Sequence, residues 1–428
     1  MPAPPPHTAT AGTAGTSRTT RTTRVTIVLL FSAWLVDYAD RLVINLVLPS
    51  LGDEFGLSLG QQGLVVSAFF LSYALCQIPG GMLADRFGAR RVAFWALVTW
   101  SVFTALTGFA WSFAALLGMR FAFGAAEGVF PPASMKLLTE RTVPEERMGA
   151  NGLIMSSNAV AGVLTPLLVA PLIAVFGWRS AFFSTAALGV LVVVAVRLWL
   201  PEPLDRTEPE APEDRYRVRD VLRIGVLWRF ALIMFGYNVI IWGLTTWVPS
   251  YLSEERGLPL TTAGPLLALP ALAAAAATII GGRLADRLEG NHRKVIAPAM
   301  TVTAVALPLM AFSSSLVGFA VFGTLAVFSA SLAYMPIFAV PLRALPPAYV
   351  GVGSAVIIFG GQVAGMVAPP VMGVIADAFS FEAAFLALVL GAVLAAAMAL
   401  LTPQTTDAFR AALGTASPTP ATTTTELS

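Results

Sequence analysis

The stretch GGMLADRFGARR (80–91) stands directly after the apolar run GLVVSAFFLSYALCQIP (63–79). Its two glycines are small enough to let helices approach closely. Arg86, Arg90 and Arg91 place three positive charges just beyond the apolar run. Arg and Lys collect on the cytoplasmic side of membrane helices, and the stretch lacks the Gly-Lys-Ser/Thr ending of a phosphate-binding loop. It therefore predicts the cytoplasmic end of a membrane-spanning helix.

The same pattern returns in the second half of the chain. GGRLADRLE (281–289) follows GGMLADRFG (80–88) at an offset of 201, which is 281 minus 80. FGWRSAFF (176–183) returns more weakly as FSFEAAFL (379–386), at an offset of 203, which is 379 minus 176. A nearly constant offset indicates that one unit has been duplicated. In transporters built from such repeats, the substrate site lies near the bilayer midplane between them.

The composition is that of a chain that lies mostly in a membrane. Of its 428 residues, 57% are hydrophobic and 12% are charged, and the mean hydropathy is +0.77. A soluble domain has about 25% charged residues, and a membrane helix needs about 20 apolar ones. The apolar stock, 57% of 428 or about 244 residues, is enough for about twelve such helices. Apolar runs predict twelve spans, near 25–50, 60–83, 91–110, 112–138, 148–175, 180–200, 226–252, 262–286, 294–312, 316–344, 350–376 and 382–402.

The expected fold is an all-α membrane protein, with twelve transmembrane helices in two six-helix bundles related by pseudo-twofold symmetry. The loops on one side of the membrane hold only Arg179 and Arg256, whereas most other basic residues lie on the opposite side. This asymmetry predicts that both termini are cytoplasmic in a plasma or inner membrane. A monomer is expected. The predicted domains are a disordered cytoplasmic tail (1–24), an N-terminal bundle (25–200), a cytoplasmic linker (201–225), a C-terminal bundle (226–403) and a second disordered tail (404–428).

Several classes of site are excluded by residue counts. The chain has two histidines, His7 and His292, and one cysteine, Cys76. These are too few for a disulfide framework or a Cys/His metal cluster, and neither His lies in a segment that could supply a Ser/His/Asp triad. The sequence therefore predicts no enzyme, no metal and no cofactor. The net charge of +2 does not indicate nucleic acid, because the basic residues follow the membrane topology.

Five charged residues lie inside predicted spans: Asp37, Asp40 and Arg41 in the first, Arg120 and Glu127 in the fourth. A charge at the bilayer centre costs roughly 2.5–3.5 kcal/mol on insertion scales, so such residues face a cavity or a partner. Helical spacing places the first three on one face and the last two on one face of their own helix. A carboxylate beside an Arg can change protonation as an anion arrives, and Arg binds carboxylates bidentately. The pattern predicts a site for a small organic anion and protons.

Other interpretations of these residues stay open. Arg120 and Glu127 could form a static pair, Asp40 and Arg41 could be helix-end charges, and Asp37 could be a polar lining residue without a proton role. Eight further polar or amphipathic residues within spans are candidates for the substrate site, although each is also compatible with simple packing. They are Tyr38, Tyr73, Asn158, Tyr237, Asn238, Trp242, Tyr334 and Gln362.

The pattern G-x-L-A-D-R-x-G-x-R-R at 81–91 resembles the signature of the major facilitator superfamily. In that superfamily the motif acts as a conformational latch between the bundles. The resemblance therefore implies gating roles for the latch residues. These are Asp85, Arg86 and Arg90, with Asp286 and Arg287 in the second copy. The second copy departs from the pattern from Glu289 onward, which implies a weaker latch.

A narrower resemblance covers nearly the whole first half. YADRLVINLVLPSL (38–51), RFAFGAAEGVFPPA (120–133), PEERMGANG (144–152) and FGWRSAFF (176–183), with the latch segment, are similar to the anion:cation symporter family. That family includes carriers of sugar acids, aromatic acids and other organic anions.

This resemblance implies a role for each matching residue. It makes Asp40 and Glu127 the proton-coupling carboxylates and brings Arg41 and Arg120 to the anionic substrate. Tyr38 and Tyr73 would line the site, and Asn158 stands where sugar-acid carriers often have Gln. Asp37 departs from the family, which often has a neutral Asn there.

The sequence thus predicts a proton-coupled symporter that takes up a small organic carboxylate, such as a sugar acid or an aromatic acid, by alternating access. The alternative is a proton-coupled drug or metabolite efflux antiporter. Antiporters of that kind usually carry a Gly-Pro step in the fifth span, which AVAGVLTPLL (159–168) lacks, and two core arginines disfavour cationic cargo. A non-transporting sensor with a transporter body is a third possibility.

Overall fold

The computed structural model describes residues 11–204, 218–288, 291–403 and 405–414. Within these ranges the secondary structure is helical, with no strand. The helices are α1 (Ala11–Phe55), α2 (Leu59–Phe87), α3 (Ala89–Thr107), α4 (Phe113–Gly128), α5 (Phe130–Arg141), α6 (Pro144–Met155), α7 (Ser157–Phe176), α8 (Arg179–Trp199), α9 (Val218–Leu222), α10 (Gly225–Ser250), α11 (Leu260–Arg287), α12 (Arg293–Ala311), α13 (Leu316–Leu332), α14 (Tyr334–Ala344), α15 (Pro347–Ala378), α16 (Phe381–Leu401) and α17 (Thr406–Gly414). A π-helical turn, Tyr251–Glu255, extends α10.

Three pairs of helices continue one another across a break of one residue, namely α4 with α5, α6 with α7, and α13 with α14. With these pairs joined and the short α9 and α17 set aside, the described residues form twelve long helical stretches. Ten of the stretches are long and apolar enough to span a membrane. The remaining two are α1, whose middle carries Asp37, Asp40 and Arg41, and α3, which carries Arg90 and Arg91 in its first turn.

The breaks in the fourth and tenth stretches correspond to each other. α4 ends before Val129, and α5 begins at Phe130 with prolines at positions 131 and 132. α13 ends before Ala333, and α14 carries Pro336 in its first turn. Proline has no backbone N–H and clashes with the preceding helical turn, so it favours a new helix start. The two halves therefore repeat a structural detail that lies outside the quoted motif.

Helix starts repeat in the same way. Ser112 caps α4 by accepting the backbone N–H of Ala115, and Ser315 caps α13 by accepting the backbone N–H of Gly318. A capping serine satisfies an N–H that the first turn of a helix leaves without a partner. α2 begins with a complete capping box, in which Ser58 and Gln61 bond to each other's backbone N–H.

By packing, the described residues divide into two compact units. The first contains residues 11–204, 242–275 and 365–384. In this unit the N-terminus of α2 lies against the C-terminal end of α15. The Asp377 carboxylate of α15 accepts hydrogen bonds from the backbone N–H groups of Leu59 and Gly60, at 2.9 and 2.8 Å. A methyl group on Gly63 would clash with the backbone of Pro369 and Pro370. Only a glycine allows α2 to approach α15 so closely.

The second unit contains the described residues within 218–241, 276–364 and 385–414. Its helices also pack through small residues, since a methyl group on Gly360 would clash with the backbone of Ala231. Thr303 Oγ1 donates to Ser329 Oγ at 3.2 Å, which joins α12 to α13 inside the unit.

Several predicted segments fall at the edges of the described ranges. α1 begins at Ala11, so it includes part of the predicted N-terminal tail. α9 lies within the predicted linker, and α17 lies within the predicted C-terminal tail. Residues 1–10, 205–217 and 415–428 lie outside the described residues.

Candidate functional site

The five intramembrane charges come together between α1 and α4 in the first unit. All five side chains are buried, with exposed fractions of 0% for Asp37 and Glu127, 1% for Asp40 and Arg120, and 8% for Arg41. Asp40 and Arg41 thus lie deep in the middle of α1, which rules out the interpretation that they are helix-end charges. Burial of so many charges is costly unless they are paired or serve a ligand.

Arg41 is held between two carboxylates. Its Nε donates to Glu127 Oε2 at 2.9 Å, and its Nη2 lies 2.8 Å from Asp37 Oδ2. The guanidinium also lies over the rings of Tyr73, at 4.4 Å, and Tyr38, at 5.4 Å. Carboxylate pairing and cation–π contacts both stabilise a buried guanidinium. Arg41 therefore has its charge balanced within the protein.

Arg120 has a different environment. Its guanidinium lies over the rings of Phe123, at 4.5 Å, and Phe69, at 5.6 Å. Among the described residues it forms no ion pair, and its Nε and Nη1 have no hydrogen-bond partner. The static Arg120–Glu127 pair that the spacing left open is not formed, because Glu127 bonds to Arg41 instead. Arg120 thus retains donors that a bound anion could accept.

Asp40 is held by a hydroxyl group rather than by an arginine. Thr104 Oγ1 on α3 donates to Asp40 Oδ2 at 2.5 Å, while Asp40 Oδ1 has no partner among the described residues. The two aspartates of α1 are therefore distinct, since Asp37 contacts Arg41 and Asp40 contacts Thr104. The sequence did not single out Thr104, and the signal that could have found it is a hydroxyl group at mid-depth in an apolar span.

Some of the remaining candidates in the first unit contact the five buried charges, and others do not. Tyr38 and Tyr73 lie against Arg41. Trp242 packs edge-on against Phe70, with ring centroids 4.6 Å apart. Asn158 is exposed, and none of the contacts of the described residues joins it to the five charges.

The candidates of the second unit form their own groups. The rings of Tyr237 and Tyr334 lie 5.5 Å apart. Asn238 Nδ2 donates to the backbone carbonyl of Met234, and its amide lies against Gly361, next to Gln362. Gln362 Oε1 is buried without a partner among the described residues. This group is aromatic and amide-bearing, and it carries no charge.

Comparison with known proteins places the chain in a family. The model of the Major Facilitator Superfamily matches residues 29–297 and 266–425. The chain belongs to the major facilitator superfamily. It is a transporter rather than an enzyme, and it is a multi-pass membrane protein. The resemblance based on the 80–91 motif is thereby confirmed.

Two relatives resemble the transporter along most of its length. The probable sulfoacetate transporter SauU of Cupriavidus necator is 31% identical over 362 residues, which cover 79% of this chain and 84% of the relative. The hexuronate transporter of Bacillus subtilis is 26% identical over 378 residues, covering 84% of this chain and 90% of the relative. Both are named for organic anions, which agrees with the resemblance to the anion:cation symporters.

A solved structure supports the fold. The crystal structure of a bacterial homolog of the human lysosomal transporter Spinster, inward-facing and unoccupied, matches with a TM-score of 0.80. The match covers 94% of this chain and 99% of the other at 20% identity, so it bears on the fold alone. The predicted fold class, an all-α membrane protein with the two-bundle major facilitator fold, is confirmed.

The latch residues of the transporter form equivalent ion pairs in the two halves. Lys136 Nζ on α5 lies 2.6 Å from Asp85 Oδ1, and Arg343 Nη2 on α14 lies 2.7 Å from Asp286 Oδ1. In each half the glycine five residues before the aspartate, Gly80 or Gly281, packs against a neighbouring backbone and has no room for a methyl group.

The other latch residues differ in their contacts. Arg90 Nη1 pairs with Glu202 Oε1 at 2.7 Å, Arg86 lies over the ring of Phe87 at 5.3 Å, and Arg287 is exposed. The sequence missed Lys136 and Arg343, the partners of the two aspartates. They stand at different distances beyond the helix breaks, seven residues after Val129 and ten after Ala333, so the repeat did not point to them.

Proposed function

We propose that the transporter is a proton-coupled symporter that takes up a small organic carboxylate, such as a sugar acid or an aromatic acid, by alternating access. Asp40 and Glu127 carry the protons, and Arg41 and Arg120 contact the anion. The observation that carries this proposal is the buried Arg120 guanidinium, whose Nε and Nη1 have no partner among the described residues. A carboxylate supplies the two acceptors that such a guanidinium binds best.

The contact between Glu127 and Arg41 supports a coupling mechanism. While Glu127 is ionised, its Oε2 accepts the Nε–H of Arg41. Protonation removes the negative charge of Glu127 and weakens this bond, so Arg41 becomes available to the anion. When the anion leaves, Arg41 returns to Glu127 and favours loss of the proton. Proton and anion thus enter together, because each stabilises the form of the site that holds the other.

The relatives favour the same class of cargo. The names of the two relatives refer to a sulfonated acetate and to hexuronates, and all these compounds carry a carboxylate. The distribution of basic residues favours cytoplasmic termini and a plasma or inner membrane. A monomer suffices for this mechanism, because the five charges belong to one chain.

Uptake by proteoliposomes tests the proposal. The purified transporter is reconstituted, and labelled sugar acids and aromatic acids are offered with the outside more acidic than the inside. We expect one class of acid to accumulate above its outside concentration and an uncoupler to prevent this accumulation. Uptake that the uncoupler leaves unchanged would contradict proton coupling. Export of a cationic dye by cells, without transport of any acid, would favour the efflux antiporter instead.

A further inference from the structure

Asp37 is a buried carboxylate for which the proposed mechanism has no task. Its side chain is fully buried, and neither of its oxygens accepts a hydrogen bond from a described residue. The positive charge that faces it is that of Arg41, whose Nη2 lies 2.8 Å from Oδ2. A carboxylate that is desolvated and compensated only by charge is costly to bury. An Asp at this position therefore acts through its charge rather than through packing.

The charge of Asp37 competes with a ligand for Arg41. Glu127 occupies Nε of Arg41, and Asp37 lies against Nη2. Protonation of Glu127 releases only the first of these contacts. With Asp37 still ionised, Nη2 of Arg41 remains paired, so a bound anion is left the Nε of Arg41 and the guanidinium of Arg120.

The balance of charges leads to the same result. The cluster contains three carboxylates (Asp37, Asp40 and Glu127) and two guanidiniums, so with every group ionised its net charge is two minus three, or −1. With a proton on each of Asp40 and Glu127, as the proposed function has them, the net charge becomes +1, and a bound monoanion makes the cluster neutral. A second negative charge on the ligand would face an uncompensated carboxylate, and like charges in a buried site repel strongly.

We propose that Asp37 is a specificity-determining residue that holds Arg41 and thereby makes the site favour monoanions over dianions. Asp40 has no such effect, because its partner is the Thr104 hydroxyl and not Arg41. Replacement of Asp37 by a neutral residue of the same size would free Arg41 for the second negative group of a dianion. This inference rests on the proposed function, since it assumes that the cargo is an organic anion.

Binding of matched acids to the purified, full-length transporter tests the inference. The probes are pairs on one scaffold, with one or two negative groups: acetate and sulfoacetate, galactonate and galactarate, benzoate and phthalate. Their dissociation constants are measured by thermal shift or calorimetry for the wild type and Asp37→Asn. We expect the wild type to favour the monoanion, and Asp37→Asn to shift the ratio of the two constants toward the dianion by about tenfold or more.

Three controls separate charge from structure. Asp37→Glu keeps the negative charge and should keep the wild-type ratio, whereas Asp37→Ser removes the charge with a smaller side chain and should shift the ratio as Asn does. Glu54 lies on the same helix as Asp37, and its carboxylate pairs with Arg179 at 2.6 Å. Glu54→Gln removes this carboxylate and should leave the ratio unchanged. In an Arg41→Gln background, Asp37→Asn should no longer shift the ratio, because Asp37 acts through Arg41.

The outcomes distinguish the two proposals. An unchanged ratio in both Asp37→Asn and Asp37→Ser, with acids still bound, would overturn the role of Asp37 and leave the proposed function standing. A wild type that already favours the dianion would overturn it as well. Failure of every acid to bind to the wild type and to the variants would overturn the proposed function and this inference with it.

Discussion

The fourth and tenth helical stretches share a scaffold but carry different chemistry. In the first half, α4 and α5 meet at Val129, and the turns before this break hold Arg120 and Glu127. In the second half, α13 and α14 meet at Ala333, and the break is followed by Tyr334, which packs against Tyr237. The caps, the breaks and the close glycine contacts are repeated, whereas the buried charges are not. The two halves thus share the same helix geometry, but only the first half carries the cluster of five buried charges in its described residues.

This difference leads us to expect different functions for the two halves. A buried charge that can gain or lose a proton, or bind an anion, couples binding to a driving force. Aromatic and amide side chains change which ligand fits but store no charge. We expect substitutions in the first half to alter coupling and the number of negative charges that the site accepts. We expect substitutions in the second half to alter the preference between aromatic acids and sugar acids.

Loss of uphill transport should be the largest effect. In Glu127→Gln the bond to Arg41 Nε no longer depends on a proton, so accumulation driven by a pH gradient should fall to the level of simple equilibration. Exchange of labelled for unlabelled cargo should persist, because it needs no net proton movement. Both are measured in proteoliposomes, with Glu54→Gln as the matched control. Retention of uphill accumulation would return Glu127 to a purely structural role.

Arg120→Lys should weaken binding of the anion. A lysine keeps the positive charge but cannot present two N–H groups in the planar fork of a guanidinium. Loss of a charged contact in a buried site typically costs about 2 kcal/mol or more, so the dissociation constant should rise roughly 30-fold or more. Thermal shift with the best-bound acid measures this, and Arg179→Lys serves as a surface control. An unchanged affinity would exclude Arg120 from the site.

Substitution in the aromatic pair should have a moderate effect. Tyr334→Ala removes the ring that packs against Tyr237, and aromatic pairs contribute about 0.5–1.5 kcal/mol. We expect the relative affinity for aromatic and sugar acids to change by about 2- to 13-fold, with uphill transport still sensitive to an uncoupler. Uphill transport that no longer responds to the uncoupler would show that the second half also takes part in coupling, against the proposal.

The latch pairs should affect the rate of transport more than stability. The Asp85 and Asp286 side chains are each about three-quarters exposed, and exposed ion pairs contribute about 1 kcal/mol or less. Asp85→Asn and Asp286→Asn should therefore shift thermal unfolding little while slowing exchange. The slowing should be greater for Asp85→Asn, because the second latch departs from the motif. Equal slowing in the two variants would mean that the two copies of the motif are equivalent. Lys136→Arg, which keeps the positive charge that pairs with Asp85, is the control.

The smallest expected effect concerns the loop after each latch. Arg91 in the first half is exposed, whereas the residue at the same repeat position, His292, is fully buried. Burial, followed by the positive charge of Arg343, lowers the pKa of His292 to about 4. The folded state therefore favours the neutral ring, so His292 contributes stability that is present above about pH 6.5 and is lost as the pH falls toward 4.

Thermal unfolding as a function of pH checks this expectation. The melting temperature of the wild type should fall between about pH 6.5 and pH 4, and the fall should be smaller in His292→Asn, which has no titratable group at this position. Identical pH profiles for the two proteins would show that His292 does not titrate on unfolding. Arg91→Gln, the change at the corresponding exposed position, should leave the profile of the wild type unaltered.

Much of the fold could be predicted from local sequence. Apolar runs of about 20 residues predict membrane helices, because every backbone polar group must be satisfied inside the bilayer. The latch motif and its second copy predicted the superfamily and the duplicated architecture. Ser112 and Ser315 could also have been predicted as helix caps, since a cap depends on neighbours three residues away.

The pairing within the site could not be predicted in the same way. Helical spacing placed Arg120 and Glu127 on one face, yet it could not say which residue of another helix lies opposite that face. The contacts of Glu127 with Arg41 and of Asp40 with Thr104 join residues separated by 86 and 64 positions. Such contacts depend on how helices cross, which is set by the packing of many side chains rather than by any short pattern.

The sequence by itself determined that this protein lies in a membrane, that its helices repeat in two halves, and that five charges are concentrated in the first. Each of these properties follows from residue type and spacing along the chain. Only the tertiary structure decided that Asp37 and Glu127 both contact Arg41, whereas Nε and Nη1 of Arg120 have no partner within the part of the chain that the structure describes. The physical reason is that a buried charge is compensated by whichever group packing brings within about 3 Å, and that neighbour lies far away along the chain.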